Sequence, residues 1–123
     1  MTSTEAHEVI VRGVMDRWQA AVDAHEPEQV ASNFTQDAIF QGLHPYSVGP
    51  EAVAEYYAAQ PLGMKAEYTV LETRQVAEDT VLGYLGVDFS YTDQPTRSVW
   101  ISVLLKRTSS AWAISHYQVS KLT

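Results

Sequence analysis

At 123 residues, with 46% hydrophobic and 11% aromatic side chains, the chain has the size and core material of one folded domain spanning 1–123, and disorder is excluded as its main state. Eight Lys and Arg against fifteen Asp and Glu leave a net charge of −7, the wrong sign for gripping nucleic-acid phosphates or anionic lipid. Without cysteine there is no disulfide framework, thiolate zinc site or cysteine nucleophile.

The first predicted element is a helix, because Ile10, Val14, Trp18, Ala21 and Val22 fall within an arc of roughly 120° at the helical pitch. Thr2 and Glu5 are spaced to form its capping box. A hinge near Ala24 and His25 leads to a second, short helix with Pro27 in its first turn and Val30, Ala31 and Phe34 on its apolar side. Asp37 then introduces a short strand, Ala38 to Gln41, followed by an irregular loop, Gly42 to Val48. Gly49-Pro50-Glu51 opens a third helix carrying Val53, Tyr56 and Tyr57, which Pro61 and Gly63 close.

After residue 63 the hydrophobic period changes from about 3.6 to 2. Strands are predicted at Met64 to Ala77, Thr80 to Tyr91, Arg97 to Arg107 and Trp112 to Leu122, with turns at Glu78-Asp79, Thr92 to Pro95 and Thr108 to Ala111. The third of these alternates Val99, Ile101, Val103 and Leu105 with Ser98, Trp100, Ser102 and Leu104, so both faces need at least partial cover. Helices cover one face. A second copy of the sheet, docked on the Val99, Ile101 and Val103 row, is expected to cover the other, making a homodimer.

The order helix, helix, short strand, helix, long meander resembles the nuclear-transport-factor-like α+β cone superfamily. The local landmarks are Trp18 with Val22-Asp23, Phe34 to Phe40, Gly49 to Tyr57, and Trp112-Ala113-Ile114. Within that superfamily the chain is most similar to SnoaL-like and SgcJ/EcaC-type small proteins. The resemblance implies three N-terminal helices on a strongly curved antiparallel sheet, the cystatin-like cone, enclosing an apolar pocket. It also implies a homodimer and a role in secondary metabolism, as a polyketide cyclase, isomerase or dehydratase acting on an apolar or polycyclic small molecule, or as a non-catalytic ligand carrier or assembly module. It does not imply one reaction.

Ketosteroid isomerase, a member of the superfamily, offers a direct chemical test, and the test is negative. Its carboxylate base falls at Gly42, its helix tyrosine at Trp18 and its protonated aspartate at Ser102. The same carry-over gives Trp18, Phe40, Tyr56, Leu85, Val87, Phe89, Trp100 and Leu104 as pocket walls. Histidines are the remaining acid/base candidates. His7 and His25 read as solvated. His44 sits in the loop at the expected mouth, either exposed or functional. His116 is mid-strand: a four-residue Thr108 to Ala111 loop pairs it with Val103 and sends it outward, with Tyr117 inward, whereas one bulge reverses both. Its alternative role is a satisfied histidine in the dimer interface. The candidate site is therefore His116 and His44 for catalysis, with Trp18, Phe40, Tyr56, Val87, Phe89, Trp100, Ser102, Tyr117 and Gln118 for the ligand. Asp88 interrupts an apolar strand and is expected to face outward and pair with Arg97. Asp37 is expected to cap backbone. No metal spacing, glycine-rich phosphate loop or Ser-His-Asp signature occurs, so no cofactor is expected. No apolar run approaches the roughly 20 residues of a membrane span, and Met1 to Ala6 is too polar to open a signal peptide, so a cytoplasmic location is expected.

Overall fold

A computed structural model describes residues 3–109 and 111–121. The elements run α1 (Ser3–Asp23), α2 (Pro27–Ala31), β1 (Phe34–Gln41), β2 (Ser47–Val48), α3 (Pro50–Ala58), β3 (Lys65–Ala77), β4 (Thr80–Ser90), β5 (Arg97–Thr108) and β6 (Ala111–Ser120). Three helices interspersed with a short hairpin thus precede a four-stranded meander, as the change of period requires. Two boundaries differ from expectation. β1 begins at Phe34 rather than Ala38, and the loop after it contains β2, in which Val48 pairs with Ile39 and Ser47 with Phe40. The Thr2–Glu5 capping box falls outside the described side chains, and Leu122 lies outside the described residues.

All six strands form one sheet in the order β2-β1-β6-β5-β4-β3. It is mixed rather than wholly antiparallel, because the last meander strand, β6, returns to lie parallel to β1. The helix α1 crosses its inner face and buries Val11, Val14, Met15, Trp18 and Val22 at helical spacing. Gly83 permits this approach: a Cβ there would stand 3.1 Å from the Val103 side chain and 3.2 Å from that of Val11. The polar flank of α1 serves the free edge of β3. Asp23 Oδ1 accepts from the Ala66 N–H at 2.8 Å and Gln19 Oε1 accepts from the Tyr68 N–H at 3.2 Å, which closes the start of that edge to another strand.

The inner face carries Val81, Leu85, Val87 and Phe89 from β4 and Val99, Ile101, Val103 and Leu105 from β5, all buried. This corrects the expected facing of β5. The Val99, Ile101 and Val103 row belongs to the core, and Trp100, Ser102 and Leu104 stand half-buried on the outer side. Register decides the matter, since directly opposite residues share a face and Leu85 pairs with Ile101, Val87 with Val99 and Gly83 with Val103. The energies agree: at roughly 1.5–3 kcal/mol per fully buried large apolar side chain, four aliphatics outweigh Trp100 and Leu104.

On β6 the register slips once. Leu105 pairs with Ile114 but Leu104 pairs with His116, which leaves Ser115 as the extra residue of a bulge. Continued without the bulge, the pairing would set Tyr117 opposite Ser102 on the outer face. With it, Tyr117 pairs with Val103 and is 1% exposed in the core, while His116 lies outside beside Leu104. The bulge therefore turns His116 outward rather than inward, because β5 itself faces the opposite way from expectation. Asp88 is also outward, but its partner is Ser98, whose hydroxyl donates to Asp88 Oδ1 at 2.6 Å. Arg97 cannot serve, because it pairs with Phe89 and so belongs to the other face. Asp37 accepts from the Thr35 hydroxyl at 2.9 Å instead of capping backbone.

Candidate functional site

Where β4 ends and β5 begins, the inner face is left partly open, and a cleft of about 70 Å³ lies there. The helix α3 supplies its upper wall. Pro50 fixes the first turn of α3 after Gly49, whose φ of 92° favours glycine, and Tyr56 and Tyr57 emerge near its end. Tyr56 leans over the loop after β1 so closely that a Cβ on Gly42 would stand 2.4 Å from its hydroxyl. The Tyr56 hydroxyl thus occupies the space of a side chain at 42, where a carboxylate base of the ketosteroid isomerase kind would be attached. His44, from the same loop, stands edge-on to the Tyr56 ring with centroids 6.0 Å apart.

The floor is an aromatic cluster with a buried polar line through it. Phe40 stacks on Tyr117 at 4.7 Å, and Trp18 lies behind, 6.2 Å from Tyr117 and 6.0 Å from Phe89. The Trp18 indole Nε1–H donates to the Tyr57 hydroxyl at 3.2 Å, and the Tyr57 hydroxyl donates to that of Tyr117 at 3.4 Å, long for a bond between hydroxyls. Burial raises the pKa of Tyr57 and holds that of Tyr117 well above the ordinary tyrosine value, the neighbouring Tyr57 adding to the effect on Tyr117. Tyr56 is also raised by burial, and the Leu43 backbone and the Arg97 charge offset only part of that rise. At neutral pH these hydroxyls remain protonated donors.

Of the sequence-derived candidates, His44, Tyr56, Phe89 and Tyr117 line the cleft. Trp18, Phe40 and Val87 belong to the buried core behind it. His116, Trp100, Ser102 and Gln118 do not reach it, because Trp100 pairs with Ser120, Ser102 with Gln118 and Leu104 with His116 on the outer face. Residues not anticipated at the cleft are Leu43, Tyr57, Gln60, Met64, Tyr91, Arg97, Val99 and Val119. Arg97 and Val99 follow from period-2 alternation once the facing of β5 is right, whereas Gln60 and Met64 sit in the non-repetitive link after α3 and carry no periodic signal. Among the described residues no three of His, Asp and Glu gather into a metal-binding group. A wider, open groove of about 970 Å³ runs along α1, but Arg17 in its wall already donates to Asn33 Oδ1 at 3.2 Å and to the Trp112 carbonyl at 3.3 Å.

A family model described as a SnoaL-like domain matches residues 11–123. No curated protein matches the chain significantly. Among solved structures, a domain of unknown function with a cystatin-like fold from Nostoc punctiforme is 19% identical, with a TM-score of 0.83 over 100% of this chain and 81% of that one. A ketosteroid isomerase-like protein from Erwinia carotovora atroseptica is 17% identical, with a TM-score of 0.75 over 94% of this chain and 95% of that one. A Xanthomonas campestris protein described as a calcium/calmodulin dependent protein kinase II association domain is 17% identical, with a TM-score of 0.79 over 91% of this chain and 85% of that one. At these identities the likeness is one of fold. No described helix is long and apolar enough to cross a membrane.

The buried tyrosines have a consequence at high pH. Tyr57 and Tyr117 hold their protons more tightly folded than unfolded, so their contribution to stability is complete below about pH 10 and is lost as pH rises from there towards their raised folded values. Tyr68 behaves likewise, pushed up to about 12 by burial and by its hydrogen bond to Asp16. In an alkaline titration the last phenolates should appear together with loss of circular dichroism, and Tyr117→Phe should remove one phenolate from that final step. Ionisation of all seven tyrosines with the dichroism unchanged would contradict the burial.

Proposed function

The chain belongs to the SnoaL-like domain family, and from that premise we propose that it binds a small, largely apolar molecule in the cleft under α3 and acts on it by proton transfer. The chemistry proposed is of the cyclase, isomerase or dehydratase kind, within secondary metabolism. The observation that carries this reading is the make-up of the cleft: aromatic and aliphatic walls with a few convergent polar groups, namely the Tyr117 hydroxyl, His44 and Arg97. The small size, about 70 Å³, supports a single ring rather than a polycycle. His44 is the group proposed to exchange a proton. His116, on the outer face, takes no part.

A second reading, a non-catalytic carrier or assembly module, is favoured by one observation: among the described residues no Asp or Glu lines the cleft. The association-domain relative supports it as well. Both readings include a homodimer. We place its interface on the outer sheet face, where Trp100 and Leu104 are half-buried and Tyr84, Leu71 and Ile39 are 38%, 43% and 44% exposed. Large apolar side chains exposed together on one sheet face suit a partner.

Screening single-ring carbonyl compounds by tryptophan fluorescence, with mass spectrometry of the mixtures, separates the readings. Turnover that falls by roughly 100-fold in His44→Ala supports the enzyme; binding without any conversion supports the carrier. For the dimer, light scattering should give about twice 13.7 kDa for the wild type and 13.7 kDa for Leu104→Asp, which buries an unpaired charge in the proposed interface. A wild-type mass of 13.7 kDa at micromolar concentration would remove the dimer.

A further inference from the structure

Resting on the binding reading above, we infer that the cleft recognises a single-ring aromatic anion at two points: the Tyr117 hydroxyl holds a carbonyl-type oxygen at the inner end, and Arg97 holds the negative charge at the mouth.

The inner contact follows from counting protons. The Trp18 indole nitrogen can only donate, so it gives its proton to the Tyr57 oxygen. Tyr57, 4% exposed, then has the Tyr117 oxygen as its acceptor. Three donors are joined by two hydrogen bonds, and the Tyr117 proton is left without an acceptor among the described residues. In the reverse sense the proton left over would be that of Tyr57, which lines the same cleft. Tyr117 is 1% exposed and lines the cleft, so the surplus proton is available to whatever fills the space.

The outer contact follows from pairing. Every other arginine has a partner within the chain: Arg12 with Glu8, Arg17 with Asn33, Arg74 with Glu72, and Arg107 over the Trp112 ring. Arg97 has no carboxylate within 4.0 Å among the described residues, and it is the one cation lining the cleft. In a chain of net charge −7, a cation left unpaired at the mouth of an apolar cleft offers the one local attraction for an anion. The aromatic rings of Tyr56 and Phe89, which line the same cleft, suit a planar ring.

Three probes differing at one end each test this. 4-Acetylbenzoate carries both features, 4-ethylbenzoate lacks the ketone oxygen, and methyl 4-acetylbenzoate lacks the charge. Calorimetric titration of the wild type should rank 4-acetylbenzoate about tenfold tighter than either of the others. In Tyr117→Phe, which keeps the ring, the ketone–ethyl gap should vanish and the acid–ester gap remain. Arg97→Gln, at an exposed site, should do the reverse. Circular dichroism checks that each variant is folded, and the wild-type ranking does not depend on either. Equal binding of all three probes would keep the cleft as a binding site but overturn the two-point recognition. So would gaps unchanged in both variants. No binding of any probe would overturn the recognition and the binding reading together.

Discussion

One extra residue in β6 decides what this molecule can do. The bulge at Ser115 advances the pairing of β6 with β5 by one position, and in a strand one position is a change of face. Upstream of it, the pairing continues with Ile114 opposite Leu105 in the core; downstream, Tyr117 and Val119 point inward and His116 and Gln118 outward. Without that step the inner wall would present a histidine and a glutamine to the aromatic cluster, and Tyr117 would be stranded outside beside Ser102. The bulge is thus the local backbone irregularity on which the floor of the cleft depends.

With Tyr117 inside, the buried polar groups solve a common problem in series. Three donors inside an aromatic core would each cost about 1–3 kcal/mol if unmatched. Linked as Trp18 to Tyr57 to Tyr117, they leave a single deficit, and it faces the open end. The same packing constrains position 42. Gly42 cannot be replaced by a larger residue without moving Tyr56, and among the described residues no acidic side chain lines the cleft. What the site offers instead is neutral donors, one imidazole and one guanidinium.

The fold was legible in the sequence because the signals for it are redundant: the 3.6-to-2 change of period, the proline at each short helix and the turn residues all point the same way. Facing was less legible. Both rows of β5 are apolar enough to be buried, so alternation alone cannot choose between Val99, Ile101, Val103 and Trp100, Ser102, Leu104. The choice rests on pairing with Leu85 and Val87, which is long-range information. The wrong choice carried Trp100 and Ser102 into the expected pocket and tied Arg97 to Asp88, hiding the cation at the mouth. Of the two facings left open for β6, the one without a bulge put Tyr117 inward, and it agrees with the structure only because the bulge and the reversed strand cancel.

The serial hydrogen bonding of Trp18, Tyr57 and Tyr117 is the central claim, and the Trp18 indole proton reports on it directly. In a proton–nitrogen correlation spectrum, three indole signals are expected. That of Trp18 should exchange with solvent far more slowly than those of the half-buried Trp100 and Trp112, and it should shift in Tyr117→Phe, where the ring stays and only the far hydroxyl is lost. A Trp18 signal that exchanges as fast as the other two, or that stays in place when the Tyr117 hydroxyl is removed, would contradict the account.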